Sequence, residues 1–196
     1  MRASGVSWGL ATAIGAIRVN GGWLRGGSVH KLSRIAWLYI GAVVAAAAIV
    51  LAAGPYTGLD WGQVAVLGLL LVACESSATL LNGRGLAWSA NTMASLAAVV
   101  LCGPAGAAVV SCGTLFGVRR GPTLPQRLFN SGMYVLSAYL AGRTYLAFGG
   151  HVGAPGPSSF PGLIGPFAAA AVVHVGVNFL LLNAVFPARP SWVMAL

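Results

Sequence analysis

Long apolar runs, each closed by a polar or Gly-Pro break, organise the chain. Residues 35–53, "IAWLYIGAVVAAAAIVLAA", form the first run and stop at Gly54-Pro55. The second covers 61–81 and ends at Asn82-Gly83. Runs at 88–102 and 105–118 are shorter and are split by Gly103-Pro104. The fifth and sixth cover 128–148 and 162–186. A helix needs about 20 mostly apolar residues to cross a bilayer, somewhat fewer if the bilayer adapts. The pattern predicts an all-α, polytopic membrane protein of six transmembrane helices. The third and fourth spans are the legs of a short helical hairpin, because one helix over both would run 31 residues with Gly-Pro at its middle. Pro166 falls in the first turns of the sixth span, where a missing N–H is tolerated.

Composition supports lipid rather than water as the surrounding medium. Of 196 residues, 58% are hydrophobic and 7% charged, against about 25% charged in a soluble domain. The net charge of +9 comes from 11 basic residues against two acids, Asp60 and Glu75. Nucleic-acid binders concentrate such charge on a soluble surface, whereas here it lies between apolar runs, so no nucleic-acid partner is expected. With a cytoplasmic N-terminus, the inner segments are 1–34, 82–87, 119–127 and 187–196. They hold Arg2, Arg18, Arg25, Lys31, Arg34, Arg84, Arg119, Arg120, Arg127 and Arg189, ten of the 11 basic residues. The outer loops 54–60, 103–104 and 149–161 contain no Lys or Arg. The positive-inside rule then places both termini in the cytoplasm of a cell-membrane protein.

The predicted organisation is a cytoplasmic or interfacial segment at 1–34, one membrane domain at 35–187 and a cytoplasmic tail at 188–196. Within the first segment, residues 5–19 read as a weak interfacial helix with Trp8 at the headgroups, or as a frayed tail. No small-residue cleavage site marks them as a signal peptide.

Few residues offer chemistry. Cys74, Cys102 and Cys112 lie on three different spans without CxxC spacing or a nearby His pair, so no metal site is expected. Cys102 and Cys112 flank the hairpin turn unequally, which leaves them about 10 Å apart in depth and out of disulfide reach. The three read as packing residues. No GK[ST] follows the glycines after Gly103-Pro104, and no strand precedes them, which excludes a phosphate loop. Gly106, Val110, Gly113 and Gly117 instead give the fourth span a face for close helix packing.

Glu75 is the most informative residue, since an ionisable group in lipid is costly unless paired or protonated. It lies roughly 20 Å from the outer end of its span, and His174 lies about 18 Å into the sixth. Asn178 is one turn further on the same face, so a Glu75–His174–Asn178 cluster is expected. The alternative has Glu75 snorkelling to the inner interface beside Ser76, Ser77 and Arg84. Arg143 breaks the charge rule in the outer third of the fifth span. It either snorkels to outer headgroups or faces a cavity for an anionic or carbonyl-bearing ligand. Tyr134, Tyr139 and Tyr145 read as packing and interface anchors. Asp60 and Glu75 lie at different depths and the three histidines are scattered, so neither catalysis nor a cofactor is expected.

One region carries a resemblance. The stretch "SANTMASLAAVVLCGPAGAAVVSCGTLFG", a basic loop, "RLFNSGMYVLSAYLAGRTYLAFGG" and "VVHVGVNFLLLNAVF" resemble the N-terminal membrane module of actinobacterial signalling proteins with a cytoplasmic HD-GYP or GGDEF output domain. The shared features are Gly103-Pro104, Phe129-Asn130, Gly149-Gly150 and Asn178, within residues 89–186. Such proteins continue into an output domain for cyclic di-GMP turnover, and these 196 residues contain none. The resemblance implies a sensor-type scaffold that works through a partner or was lost from a larger protein. The hairpin layout is also similar to that of substrate-binding S components of energy-coupling-factor transporters, whose docking the run Ala42–Ala48 would suit. The expected function is therefore a non-enzymatic sensor or regulatory module with protein partners and a possible small-molecule ligand. A solute-binding transporter subunit and an accessory subunit of a larger membrane complex are the alternatives.

Overall fold

The computed structural model describes residues 34–77, 87–117, 124–156 and 160–184. The interfacial helix expected at 5–19, the last residues of the second run and the C-terminal tail lie outside the described residues. All regular structure among the described residues is helical. In chain order the helices are α1 (Arg34–Ala53), α2 (Trp61–Ser77), α3 (Ala87–Ser111) with a 3-10 turn at Cys112–Phe116, α4 (Leu124–Ala147) and α5 (Phe160–Ala184).

Three helical stretches, Arg34–Ala53, Asn91–Phe116 and Phe160–Ala184, are long and apolar enough to cross a membrane. The first and last bury only 17% and 22% of their most apolar stretches, against 67% for Asn91–Phe116. Leu38 on α1, Leu69 on α2 and Val172 on α5 are each 70% exposed or more. Faces this apolar are matched by hydrocarbon rather than water.

Helix α3 consists of two helical arms broken at Gly103, where the chain reverses direction. Gly103 has φ 70° and ψ −173°, a non-helical conformation that a side chain resists. Pro104 then opens the second arm, where its lack of an N–H is harmless. Ser95 Oγ and Ser111 Oγ, eight residues to either side of Gly103, lie 3.4 Å apart. A straight helix would separate them by about 24 Å. The two arms therefore lie side by side, as the Gly-Pro break implies.

The small-residue face of the second arm packs on α2 and the loop before it. A Cβ added at Gly106 would lie 3.2 Å from Leu59, and one at Gly113 would lie 3.2 Å from the Gly68 carbonyl. The main apolar core joins α2, both arms of α3, α4 and α5 through Leu71, Val99, Val110, Ala138, Tyr145 and Ala170. A second cluster seats α1 on α4 through Val43, Phe129 and Met133.

Helix α4 is the central element, packed against α1, α3, the 3-10 turn and α5. Its small residues let neighbours approach closely. At Gly142 the tip of the hairpin comes so near that an added Cβ would lie 2.6 Å from Pro104 Cα. The 149–153 loop closes over this tip: Gly153 N–H donates to the Val100 carbonyl (3.0 Å), and Tyr145 Oη donates to the His151 carbonyl (3.0 Å).

Two helices start more than one residue earlier than expected, each with a proline as its second residue, Pro125 and Pro161. Helix α4 starts at Leu124 rather than 128, with Pro125 in its first turn, where proline is accepted. Helix α5 starts at Phe160 rather than 162, which places Pro166 at its seventh residue. Pro166 is therefore past the first turn, and the Gly162 carbonyl has no i+4 donor.

Candidate functional site

Four buried polar side chains run along the inside of the hairpin: Asn91, Ser95, Ser111 and Thr114, none more than 9% exposed. Serine and threonine in a helix satisfy their hydroxyls on a carbonyl one turn back. Thr114 does so on the Ser111 carbonyl at 2.8 Å, and Ser95 and Ser111 face each other across the arms. At the open end, away from Gly103, this seam meets α2. Asn91 Nδ2 donates to Glu75 Oε2. Glu75 is 8% exposed, and Gly117 at the end of the 3-10 turn packs against its side chain. Arg127 Nη1, from the first turns of α4, reaches the Gly117 carbonyl at 3.4 Å. This polar clasp holds three elements together: α2, the open end of the hairpin and the start of α4.

The clasp changes the expectation for Glu75. The residue is 8% exposed and accepts from Asn91, and it does not pair with His174; Arg84, the basic neighbour in the alternative reading, lies outside the described residues. Similar depth does not make two residues neighbours: α2 packs on the hairpin, whereas α5 packs chiefly on α4. His174 is 0% exposed and neither of its ring nitrogens has a hydrogen-bond partner. Its ring lies 6.3 Å from that of Tyr134 on α4, tilted by 52°. Asn178 shares its face, since Pro166, Ala170, His174 and Asn178 form the buried stripe of α5 at four-residue spacing. The expected trio thus separates into a Glu75–Asn91 pair and a His174–Asn178 stripe.

Arg143 is exposed and faces away from the bundle interior, which removes the cavity reading and leaves the outward one. Arg143→Gln is therefore expected to change the melting temperature in detergent by no more than the equivalent of about 0.5 kcal/mol, as for ordinary surface substitutions. A larger loss would place the guanidinium in an internal role. Cys74, Cys102 and Cys112 carry free thiols. Of the tyrosines, Tyr145 and Tyr134 are buried and act in packing as expected.

Asn91, Ser95, Ser111 and Thr114 were not distinguished by sequence reasoning. A signal was available: folding the hairpin about Gly103 sets Ser95 against Ser111 by counting alone, and brings Asn91 to the end where Glu75 lies. No protein-family model, curated protein or solved structure matches the chain.

Proposed function

We propose that the chain is a multi-pass membrane protein that crosses six times with both termini in the cytoplasm, and that it is a non-enzymatic regulatory module acting through partner proteins. The crossing number and direction rest on the charge pattern: ten of 11 basic residues fall in alternate connections. The clasp is the observation that carries the regulatory reading. Glu75, Asn91 and Arg127 tie α2, the hairpin and α4 together at the end from which the chain continues into Arg119 and Arg120. A shift in how the hairpin packs is delivered there, to a basic connection that a cytoplasmic partner can read. The resemblance to membrane modules of cyclic di-GMP signalling proteins supports the same reading.

A second reading, a transporter subunit of S-component type, has one observation in its favour. Gly41, Ala42, Ala45 and Ala48 are exposed on α1, which presents small residues of the kind another helix packs against. Copurification from native membranes at natural abundance separates the two readings. A signalling protein in the pull-down supports regulation, ATPase subunits support transport, and a large stoichiometric complex supports an accessory role. A protein recovered alone, whose melting temperature ignores added solutes, would defeat the first two.

The topology has its own test. In sealed, oriented vesicles a membrane-impermeant maleimide is expected to label Thr57→Cys and His151→Cys only from the outer side, and Thr123→Cys only from the inner side. Labelling of Thr57→Cys and Thr123→Cys from the same side would overturn the six-span arrangement.

A further inference from the structure

His174 is the most fully buried polar side chain of α5, and the clasp makes no use of it. A neutral imidazole has one N–H donor and one acceptor nitrogen. Each is costly when buried without a partner, and here both are. Protonation gives no relief, because a buried charge is costlier still unless paired. The charged side chains nearest in sequence on the packed helix α4, Arg127 and Arg143, occupy its first turns and its exposed face. The surroundings on record are uncharged: Asn178 one turn away on the same buried stripe and the Tyr134 ring at 6.3 Å. Along this stripe Pro166 and Ala170 precede His174 and add no polar group.

We infer that His174, with Asn178, forms an internal binding site at the α4–α5 interface for a small neutral molecule that both donates and accepts hydrogen bonds. Water and hydroxyl-bearing solutes share this chemistry, since one O–H donates to the acceptor nitrogen while the oxygen accepts from the ring N–H. An anion is disfavoured by the absence of a cationic side chain on the stripe, and a metal ion by the presence of a single imidazole. The site is independent of the regulatory reading, since occupancy requires no signalling.

The test uses the full chain carrying His30→Gln and His151→Gln, so that His174 is the sole imidazole of the three in the sequence. His151 is exposed and contributes only its carbonyl to Tyr145, so its side chain is dispensable. The protein is labelled with 15N-histidine and reconstituted in nanodiscs of deuterated lipid. Solid-state NMR is expected to show both ring nitrogens shifted by hydrogen bonding, with magnetisation transferred to the ring from a molecule that is not protein. Transfer from the water resonance identifies water. Transfer from carbon-bound protons that survive exchange into heavy water identifies an organic solute. Ring nitrogens at their free shifts, with no transfer from either source, would overturn the site. As a second measurement, His174→Phe is expected to melt below the wild type and His174→Asn, which keeps a donor and an acceptor, to recover part of the loss. A His174→Phe protein that melts higher than the wild type would also overturn it, because removing two unpartnered groups stabilises a protein only when nothing was bound to them.

Discussion

Gly142→Val is expected to destabilise the protein strongly, because the atoms it would meet are rigid. An added Cβ at this position would lie 2.6 Å from Pro104 Cα, 3.0 Å from its Cβ and 3.1 Å from its nitrogen. All three belong to a proline ring or backbone and cannot rotate away. Overpacking a core commonly costs 1–3 kcal/mol, and contact with rigid atoms belongs at the upper end, so a loss of about 3 kcal/mol is expected. The hairpin tip must lift from α4, and lifting it pulls Val100 away from its bond with Gly153. Proteolysis of the 149–156 loop in detergent should therefore accelerate along with the fall in melting temperature. Gly142→Ala adds only the Cβ and should show a smaller form of both effects. Wild-type melting and loop cleavage in Gly142→Val would mean that the hairpin does not rest on α4.

The hairpin shows which parts of this molecule can be read from sequence and which cannot. Gly103-Pro104 is legible because two local rules coincide there: glycine accepts φ 70°, and proline has no N–H to lose at a helix start. Apolar run lengths locate α1, α2, α4 and α5 to within about four residues, since each is set by local composition. The packing faces at Gly106 and Gly113 are legible for a similar reason, as small residues at three- or four-residue spacing mark where backbones meet. Neighbour relations are different. Depth along a span follows from counting residues, and it puts Glu75 and His174 at one level. Which helices lie side by side depends on the whole set of packed faces. Placing the many-sided helix α4 at the centre sends α2 to the hairpin and α5 to α4. Helix α4 is also the least uniformly apolar of the long helices, with Ser131, Gly132, Ser137 and Gly142 among its buried residues. That composition marks a helix surrounded by others rather than by lipid, and it is the sequence signal that would have placed the rest.

Breaking the clasp is expected to cost nearly as much as overpacking the hairpin tip, and a double-mutant cycle isolates the reason. Asn91 Nδ2 donates to Glu75 Oε2 where the two residues are 3% and 8% exposed. Hydrogen bonds to a charged group contribute about 1.5–3 kcal/mol, and a buried group that loses its partner keeps its full desolvation cost. Glu75→Leu should therefore lower stability by roughly 2–3 kcal/mol, and Asn91→Leu by less, because it also removes the buried Asn91 Oδ1, which has no hydrogen-bond partner. In the double variant neither side chain is left to be desolvated, so the combined loss should fall short of the sum by about 1 kcal/mol or more. Glu75→Gln keeps an acceptor for Asn91 and should be milder than Glu75→Leu, which separates the hydrogen bond from the negative charge. Chemical denaturation in mixed micelles, followed by tryptophan fluorescence, measures all four stabilities. Strict additivity of the two leucine variants would show that Glu75 and Asn91 do not interact. The regulatory reading adds a further requirement. If the clasp transmits hairpin packing to the basic connection, Asn91→Leu should change the protease sensitivity of the bond after Arg119 or Arg120 without altering cleavage in the 149–156 loop. A change at both ends together would mean that the substitution loosens the bundle as a whole. Unchanged cleavage at the basic connection would separate the clasp from any signalling role.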